Sequence, residues 1–166
     1  LADDGGRVTG LVRARGTHDG AVEHEALDAP EPVGLRAVLA VRGAHVAYAS
    51  RRGGVVRRGA GGAWTVHAWE GSVTALAFVD DAGTLVAATY SAADDTTALV
   101  CLEAAGRAHV VARIGPARVP AGADVAADDG EGPLDADARV AALAHDDARG
   151  VVWIAGGFGV AAFAVR

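Results

Sequence analysis

Apolar residues along the chain fall into short runs that are separated by turn residues. In residues 73–89 the run VTALAFV is followed by DDAGT and then by the run LVAAT. Runs of this length that are bounded by Asp and Gly are typical of β-strands joined as antiparallel hairpins. Glycines recur every few residues and β-branched residues cluster between them, which outweighs the helical preference of alanine. We therefore expect an all-β fold.

The same pattern recurs along the chain. Residues 73–89 align without gaps on residues 140–156, and a shorter copy with a tighter turn spans residues 37–50. Three copies in the same order indicate that one supersecondary unit is repeated. Gly83 and Gly150 occupy matching turn positions, and we expect both to adopt the positive φ that a tight hairpin requires.

Further strand-like runs lie between the copies. When the strands of each unit are labelled a to d, their order along the chain is c-d, a-b-c-d, a-b-c-d, a-b-c. Four-stranded units that repeat at about 40–50 residues are typical of a β-propeller. We predict four-stranded antiparallel blades, with about three to four present. The predicted segments are a partial blade (1–32), two blades (33–70 and 71–115), an acidic loop insertion (116–138) and a partial blade (139–166).

Two stretches resemble known propeller families. Residues 67–88, HAWEGSVTALAFVDDAGTLVAA, are similar to a WD-repeat blade, with a Gly, an inner strand, an Asp/Gly turn and a second strand. Residues 150–159, GVVWIAGGFG, resemble a strand of bacterial regulator-type propellers. The resemblance covers residues 33–166, and it implies a propeller scaffold in a bacterial multi-component assembly.

The predicted number of blades is at the lower limit for a closed ring. Propellers close with about four to eight blades, and an open end exposes unpaired strands. We therefore expect the chain to be part of a larger ring, completed by more of the same polypeptide or by another chain. A small ring that closes through its own termini is the alternative. Leu1 is not an initiator methionine, so we expect a processed product or part of a longer protein.

Composition and charge narrow the function classes. The 166 residues are 51% hydrophobic, with Ala and Val dominant and no Met or Lys, a bias typical of a genome of high GC content. A net charge of −6 argues against binding to a phosphate backbone, so we predict protein partners and no nucleic acid. The longest uncharged apolar run has 15 residues, whereas a membrane span needs about 20. The single cysteine, Cys101, is compatible with the cytosol and is predicted to be a buried small hydrophobe.

A basic cluster and a nearby tryptophan are the candidate partner-binding residues. They are Arg51, Arg52, Arg57, Arg58 and Trp69. Guanidinium groups can hold an acidic surface through bidentate hydrogen bonds. Protection of a strand edge by charge is the alternative explanation for the arginines. His67 and Trp69 are expected to share one face of a strand.

An acidic insertion is the candidate metal site. The segment contains Asp124, Asp128, Asp129 and Glu131 among Gly and Pro residues. Ca²⁺ favours clustered carboxylates on a flexible loop, although this spacing does not match the EF-hand pattern. A solvated, mobile loop without metal is the favoured interpretation of this composition, and the metal site is the alternative. We therefore expect no cofactor, with Ca²⁺ as the one candidate.

The run of residues 156–162, GGFGVAA, contains a G-x-G-x-x-A pattern, which in a dinucleotide fold would open a helix. Because the run also aligns as part of the repeat, we predict a hairpin there. Taken together, these features predict a non-enzymatic propeller scaffold for protein–protein interaction, with no catalytic residues. The alternative is a hydrolase or lyase with its site in the propeller channel, assisted by a metal held in the acidic loop.

Overall fold

The computed structural model describes residues 11–16, 22–34, 36, 38–115 and 138–164. The secondary structure in those ranges consists of thirteen β-strands, with no helix. Accordingly, the described ranges contain no helix long and apolar enough to cross a membrane. The all-β class expected from the short apolar runs and glycine turns is confirmed.

The strands form four antiparallel sheets, and each sheet consists of strands that are consecutive in sequence. A two-stranded hairpin contains β1 (Leu11–Gly16) and β2 (Val22–Leu27). The first sheet contains β3 (Leu39–Arg42), β4 (His45–Ala49), β5 (Val55–Arg58) and β6 (Trp64–His67). The second sheet contains β7 (Ser72–Phe78), β8 (Leu85–Ser91), β9 (Thr96–Leu102) and β10 (Ala108–Ile114). The third sheet contains β11 (Val140–Asp146), β12 (Val151–Gly156) and β13 (Gly159–Ala164).

The grouping into two, four, four and three strands matches the strand order expected from the sequence. Each of the three larger sheets is a meander, in which every strand pairs with the strand before it. These sheets lie within residues 33–70, 71–115 and 139–166. They are compatible with propeller blades, while closure into a propeller stays a prediction.

Two hairpins in different sheets have the same register. Val73 pairs with Thr89 across β7 and β8, and Val140 pairs with Gly156 across β11 and β12. Both pairings shift by one residue directly after these pairs, so each hairpin carries a β-bulge at the same place. In the turns, Gly83 has a φ of 95° and Gly150 a φ of 63°, which confirms the predicted conformation of both glycines.

The three larger sheets pack face to face in chain order. β7 contacts both β3 and β11, so the first strands of the three sheets lie side by side. Between the first and second sheets the buried side chains are Ala47, Val55, Leu76, Phe78, Leu85, Ala87 and Leu102. Between the second and third sheets they are Ala75, Val79, Val86, Ala88, Leu99, Val140, Val152 and Ile154. Each interface is apolar and built mostly from Ala, Val and Leu, which lets sheets pack closely.

The fold also confirms the predictions made for the glycine run at residues 156–162 and for Cys101. Gly156 pairs with Gly159 across a two-residue turn, so the glycine run forms the β12–β13 hairpin and does not open a helix. Cys101 is buried in β9, as expected for a small hydrophobe.

Candidate interaction surfaces

The structure separates the four arginines that were predicted to bind a partner. Arg51 and Arg52 lie in the turn after β4 and are exposed. Arg57 and Arg58 follow each other in β5, so their side chains leave opposite faces of the first sheet. Arg58 is half-buried, whereas Arg57 is only 6% exposed. The four residues therefore do not form a single surface patch.

Arg57 joins the first sheet to the second. Its Nη1 atom donates to the carbonyl oxygens of Glu103 at 2.9 Å and Gly83 at 3.2 Å, with Leu102 at 3.4 Å. Its Nη2 atom donates to the carbonyl of Ala104 at 3.4 Å. Burial lowers the pKa of this guanidinium, which remains charged because its ordinary value is so high. These contacts give Arg57 a role inside the fold, and its contact with a partner stays an untested prediction.

A groove beside the exposed arginines forms a cavity of about 390 Å³. Its lining residues, here called the basic groove, are Gly34, Arg36, Ala49, Ser50, Arg51, Arg52, Gly53, Gly71, Ser72 and Val73. Among the described residues, the lining contains three arginines and no acidic side chain. It lies between the β4–β5 turn of the first sheet and the beginning of β7 in the second.

The turn that carries these arginines is held in one shape. The Ser50 hydroxyl donates to the Glu31 carboxylate and accepts the backbone N–H of Arg52 at 3.0 Å. Gly54 has a φ of 92°, and a Cβ atom there would lie 2.1 Å from the carbonyl oxygen of His67. Only glycine fits at that position, so the backbone of the turn is fixed by sequence.

Trp69 does not line the basic groove. Its ring stacks on that of His67, with centroids 6.2 Å apart and planes 19° apart, which confirms that the two residues share a face. Trp69 also packs against the core between the first and second sheets. Burial, together with the charge of Arg57, lowers the pKa of His67. Trp69 thus has a packing role, and its predicted contact with a partner is untested.

A second charged cluster links turns of all three larger sheets. Arg42 ends β3, and its guanidinium binds Asp81 at 2.7 Å and Asp147 at 2.8 Å. Asp81 lies in the β7–β8 turn and Asp147 in the β11–β12 turn, and His145 Nδ1 is 3.2 Å from the Asp147 carboxylate. The hydrogen bond from Arg42 holds the pKa of Asp147 below its usual range. Because its charges are paired with one another, this Arg42 cluster works as a tie between sheets.

The predicted metal ligands Asp124, Asp128, Asp129 and Glu131 lie outside the described residues. Elsewhere, in the ranges that the structure describes, no three His, Cys, Asp or Glu side chains are grouped so as to hold a metal ion. The Ca²⁺ prediction is therefore untested.

The third sheet exposes an apolar face that we did not predict. One of its faces is buried against the second sheet through Val152 and Ile154. The pairing of its strands places eight small or apolar side chains on the opposite face, together with the carboxylate of Asp146 beside Trp153. The eight, here called the open face, are Ala142, Ala144, Val151, Trp153, Ala155, Val160, Ala162 and Ala164. Trp153 is 41% exposed and Val160 is 70% exposed. A face with this much apolar surface is a candidate docking surface.

No family model, no curated protein and no solved structure matches the chain.

Proposed function

We propose that the chain forms part of a β-propeller and acts as a non-enzymatic scaffold for protein–protein contact. The observation that supports this is the packing of consecutive sheets in chain order, with β3, β7 and β11 side by side. In a propeller, four-stranded sheets are arranged around a channel in this consecutive way. The shared register and bulge of the β7–β8 and β11–β12 hairpins add support, because equivalent blades have equivalent hairpins.

Within this scaffold, we assign partner binding to the basic groove. Arg36, Arg51 and Arg52 are exposed at its rim, and none of the described lining residues is acidic, although the Glu31 carboxylate lies beside the groove, where it accepts the Ser50 hydroxyl. Each guanidinium can donate two parallel hydrogen bonds to a carboxylate. A cavity of about 390 Å³ accommodates a few side chains. The partner that fits is an acidic segment of another protein.

The described residues favour a binding role over catalysis. Burial, with the charges of Glu103 and Asp80, raises the pKa of the Cys101 thiol, which makes it a poor nucleophile. The guanidinium of Arg42 is already paired with the carboxylates of Asp81 and Asp147. By contrast, Arg51 and Arg52 of the basic groove face solvent in a preformed turn.

Binding of a fluorescein-labelled oligoglutamate peptide tests this proposal by fluorescence anisotropy. Two surface charge pairs contribute about 1.4 kcal/mol together, so Arg51→Ala/Arg52→Ala should weaken binding about tenfold. The control is Arg107→Ala/Arg113→Ala, which removes the same charge from the exposed β9–β10 hairpin and should leave the affinity within about twofold. Equal affinities of the two double variants would remove the basic groove from the proposal.

A further inference from the structure

We propose that the acidic segment assigned to the basic groove continues past Gly71 and places apolar side chains in a second cavity on the same side of the molecule. The motif of the partner is then a run of acidic residues that lies next to a pair of apolar residues. This inference rests on the proposed function of the basic groove, and it adds a sequence requirement that oligoglutamate binding alone does not test.

The second cavity has a volume of about 570 Å³ and lies beside β8, β9 and β10 of the second sheet. The described residues that define it are Trp69, Gly71, Ala98, Val100, Ala108 and Val110. Ligand pockets in proteins have volumes of about 300–1,000 Å³, so this cavity is large enough for two apolar side chains.

The floor of the second cavity continues the core between the first and second sheets. Ala87 lies in that core and pairs with Val100, which in turn pairs with Val110, so the three side chains share one face. Their exposed fractions rise outward along this row, from 0% to 4% and then to 47%. Leu102 is also buried in the core, and its partner Ala108 is exposed. The sheet face thus emerges from beneath the first sheet as an apolar floor that the described residues leave open.

The basic groove and the second cavity meet at Gly71, which lines both of them. Gly71 has a φ of 91°, and a Cβ atom there would lie 2.6 Å from the carbonyl oxygen of Tyr90. Glycine is therefore required at this position, and the boundary between the two cavities is formed by bare backbone. An extended segment in the basic groove can pass close to this backbone into the second cavity.

The charges of the second cavity differ from those of the basic groove. Its described lining includes the carboxylates of Glu70 and Asp94, with Arg113 and His109 as the basic groups. Nδ1 of His109 lies 3.6 Å from the carboxylate of Glu103. With histidine neutral, two negative charges therefore face one positive charge, and further acidic residues gain no net attraction. The apolar floor instead favours apolar side chains, because their burial removes them from water.

Three fluorescein-labelled peptides test this motif by fluorescence anisotropy. Two of them contain four glutamates, two glycines and two leucines in opposite orders, and the third has serines in place of the leucines. The glycine pair spans about 7 Å, which lets the leucines reach past Gly71. Partial burial of the two leucines should make one of the two orders bind about tenfold more tightly than the serine peptide.

Neighbouring valines on β10 provide a matched pair of variants. Val110→Asp places a carboxylate on the floor of the second cavity and should weaken binding of the leucine peptide about tenfold. The control is Val111→Asp, which adds the same charge at the unpaired residue of the adjacent β-bulge, where the valine is 41% exposed. Its affinity should stay within about twofold of that of the wild type. Far-UV circular dichroism verifies that both variants are folded.

Trp69 reports directly on the second cavity. In Trp64→Phe/Trp153→Phe it is the single tryptophan of the chain. The leucine peptide should protect its fluorescence from quenching by acrylamide, because the leucines cover the cavity that Trp69 lines. The serine peptide should leave the quenching unchanged.

Three results would overturn the inference: leucine peptides that bind no more tightly than the serine peptide, equal losses of affinity in Val110→Asp and Val111→Asp, or quenching of Trp69 that the leucine peptide does not change. In each case, weaker binding of the serine peptide to Arg51→Ala/Arg52→Ala would still support the basic groove. If that double variant binds the serine peptide as the wild type does, the proposed function fails and this inference fails with it.

Discussion

Replacing Arg57 by methionine is the sharpest test of how the first and second sheets are joined. Methionine replaces the unbranched stem of the arginine side chain and removes the guanidinium, with its charge and all its donors. Arg57 is 6% exposed, and its guanidinium donates to four backbone carbonyls of the second sheet. After the substitution the carbonyls of the buried Gly83 and Leu102 lose this donor, whereas that of Glu103 keeps the N–H of Gly106 and that of the exposed Ala104 can turn to solvent.

The expected loss follows from the geometry. The 2.9 Å bond to Glu103 counts as a full charge-assisted hydrogen bond, worth about 1.5–3 kcal/mol. The three contacts at 3.2–3.4 Å are longer, and together they are taken as about one more such bond. Part of this gain is offset because methionine avoids the cost of burying a charge. We therefore expect Arg57→Met to lower the free energy of unfolding by about 2–4 kcal/mol, a large part of a typical total of about 5–15 kcal/mol.

Urea denaturation, followed by circular dichroism and tryptophan fluorescence, measures this free energy. The control is Arg58→Met, on the same strand and opposite face, for which we expect a change below about 1 kcal/mol. Removing the charge of Arg57 should also raise the pKa of His67, measured by NMR titration, although burial will continue to hold it down. The reasoning fails if Arg57→Met lowers the free energy of unfolding no more than Arg58→Met does, or if it leaves the pKa of His67 unchanged.

Three further predictions follow from the turns and the ionisable groups. Gly83→Ala should lower the free energy of unfolding by about 2–4 kcal/mol, because φ is 95° and the new methyl group would lie 2.6 Å from the ring of His45. Gly150→Ala, with a φ of 63° and open space around it, should lower it by only about 1–2 kcal/mol. Equal losses of melting temperature in the two variants would contradict this. The depressed pKa of His67 means that the unfolded chain takes up the proton first, so stability should fall as pH drops below about 6.5, and His67→Phe should lessen that fall in urea titrations. The pKa of Asp147 is depressed by Arg42, so its contribution is present above about pH 4 and is lost as pH falls through the folded value. Arg42→Gln should make the free energy of unfolding depend less steeply on pH below about 4. Parallel plots of this free energy against pH for the variant and the wild type would refute the role of Arg42.

The strand order could be predicted because its signals are local. A hairpin needs two apolar runs and a turn residue that accepts positive φ, and residues 73–89 and 140–156 contain all three. The same local rule explains the glycine run at residues 156–162, whose hairpin register follows from its place after an apolar strand. In this Ala- and Val-rich chain these signals outweigh helix propensity because Gly or Asp turns end most runs, as Asp95 with a φ of 46° does between β8 and β9.

The surfaces were harder to predict because they depend on which face of a strand packs inward. Alternation alone separates Arg57 from Arg58, but it does not say which of them meets the second sheet. Arg42 and Asp147 are 105 residues apart in sequence, and their contact follows only from the stacking of sheets. The open face could have been noted from the alternation in β12 and β13, since Trp153 and Val160 leave the side opposite Val152.

Strand pairing within each of the described sheets has a consequence for how such a chain can change over generations. The ladders join only neighbours in sequence, and side chains alone hold one sheet to the next. An in-frame duplication or deletion of the stretch that encodes a whole meander therefore leaves every surviving ladder intact. Only the side chains on the two sheet faces that come into contact then have to pack together. A gene that encodes such consecutive sheets can therefore lengthen or shorten by one sheet at a time.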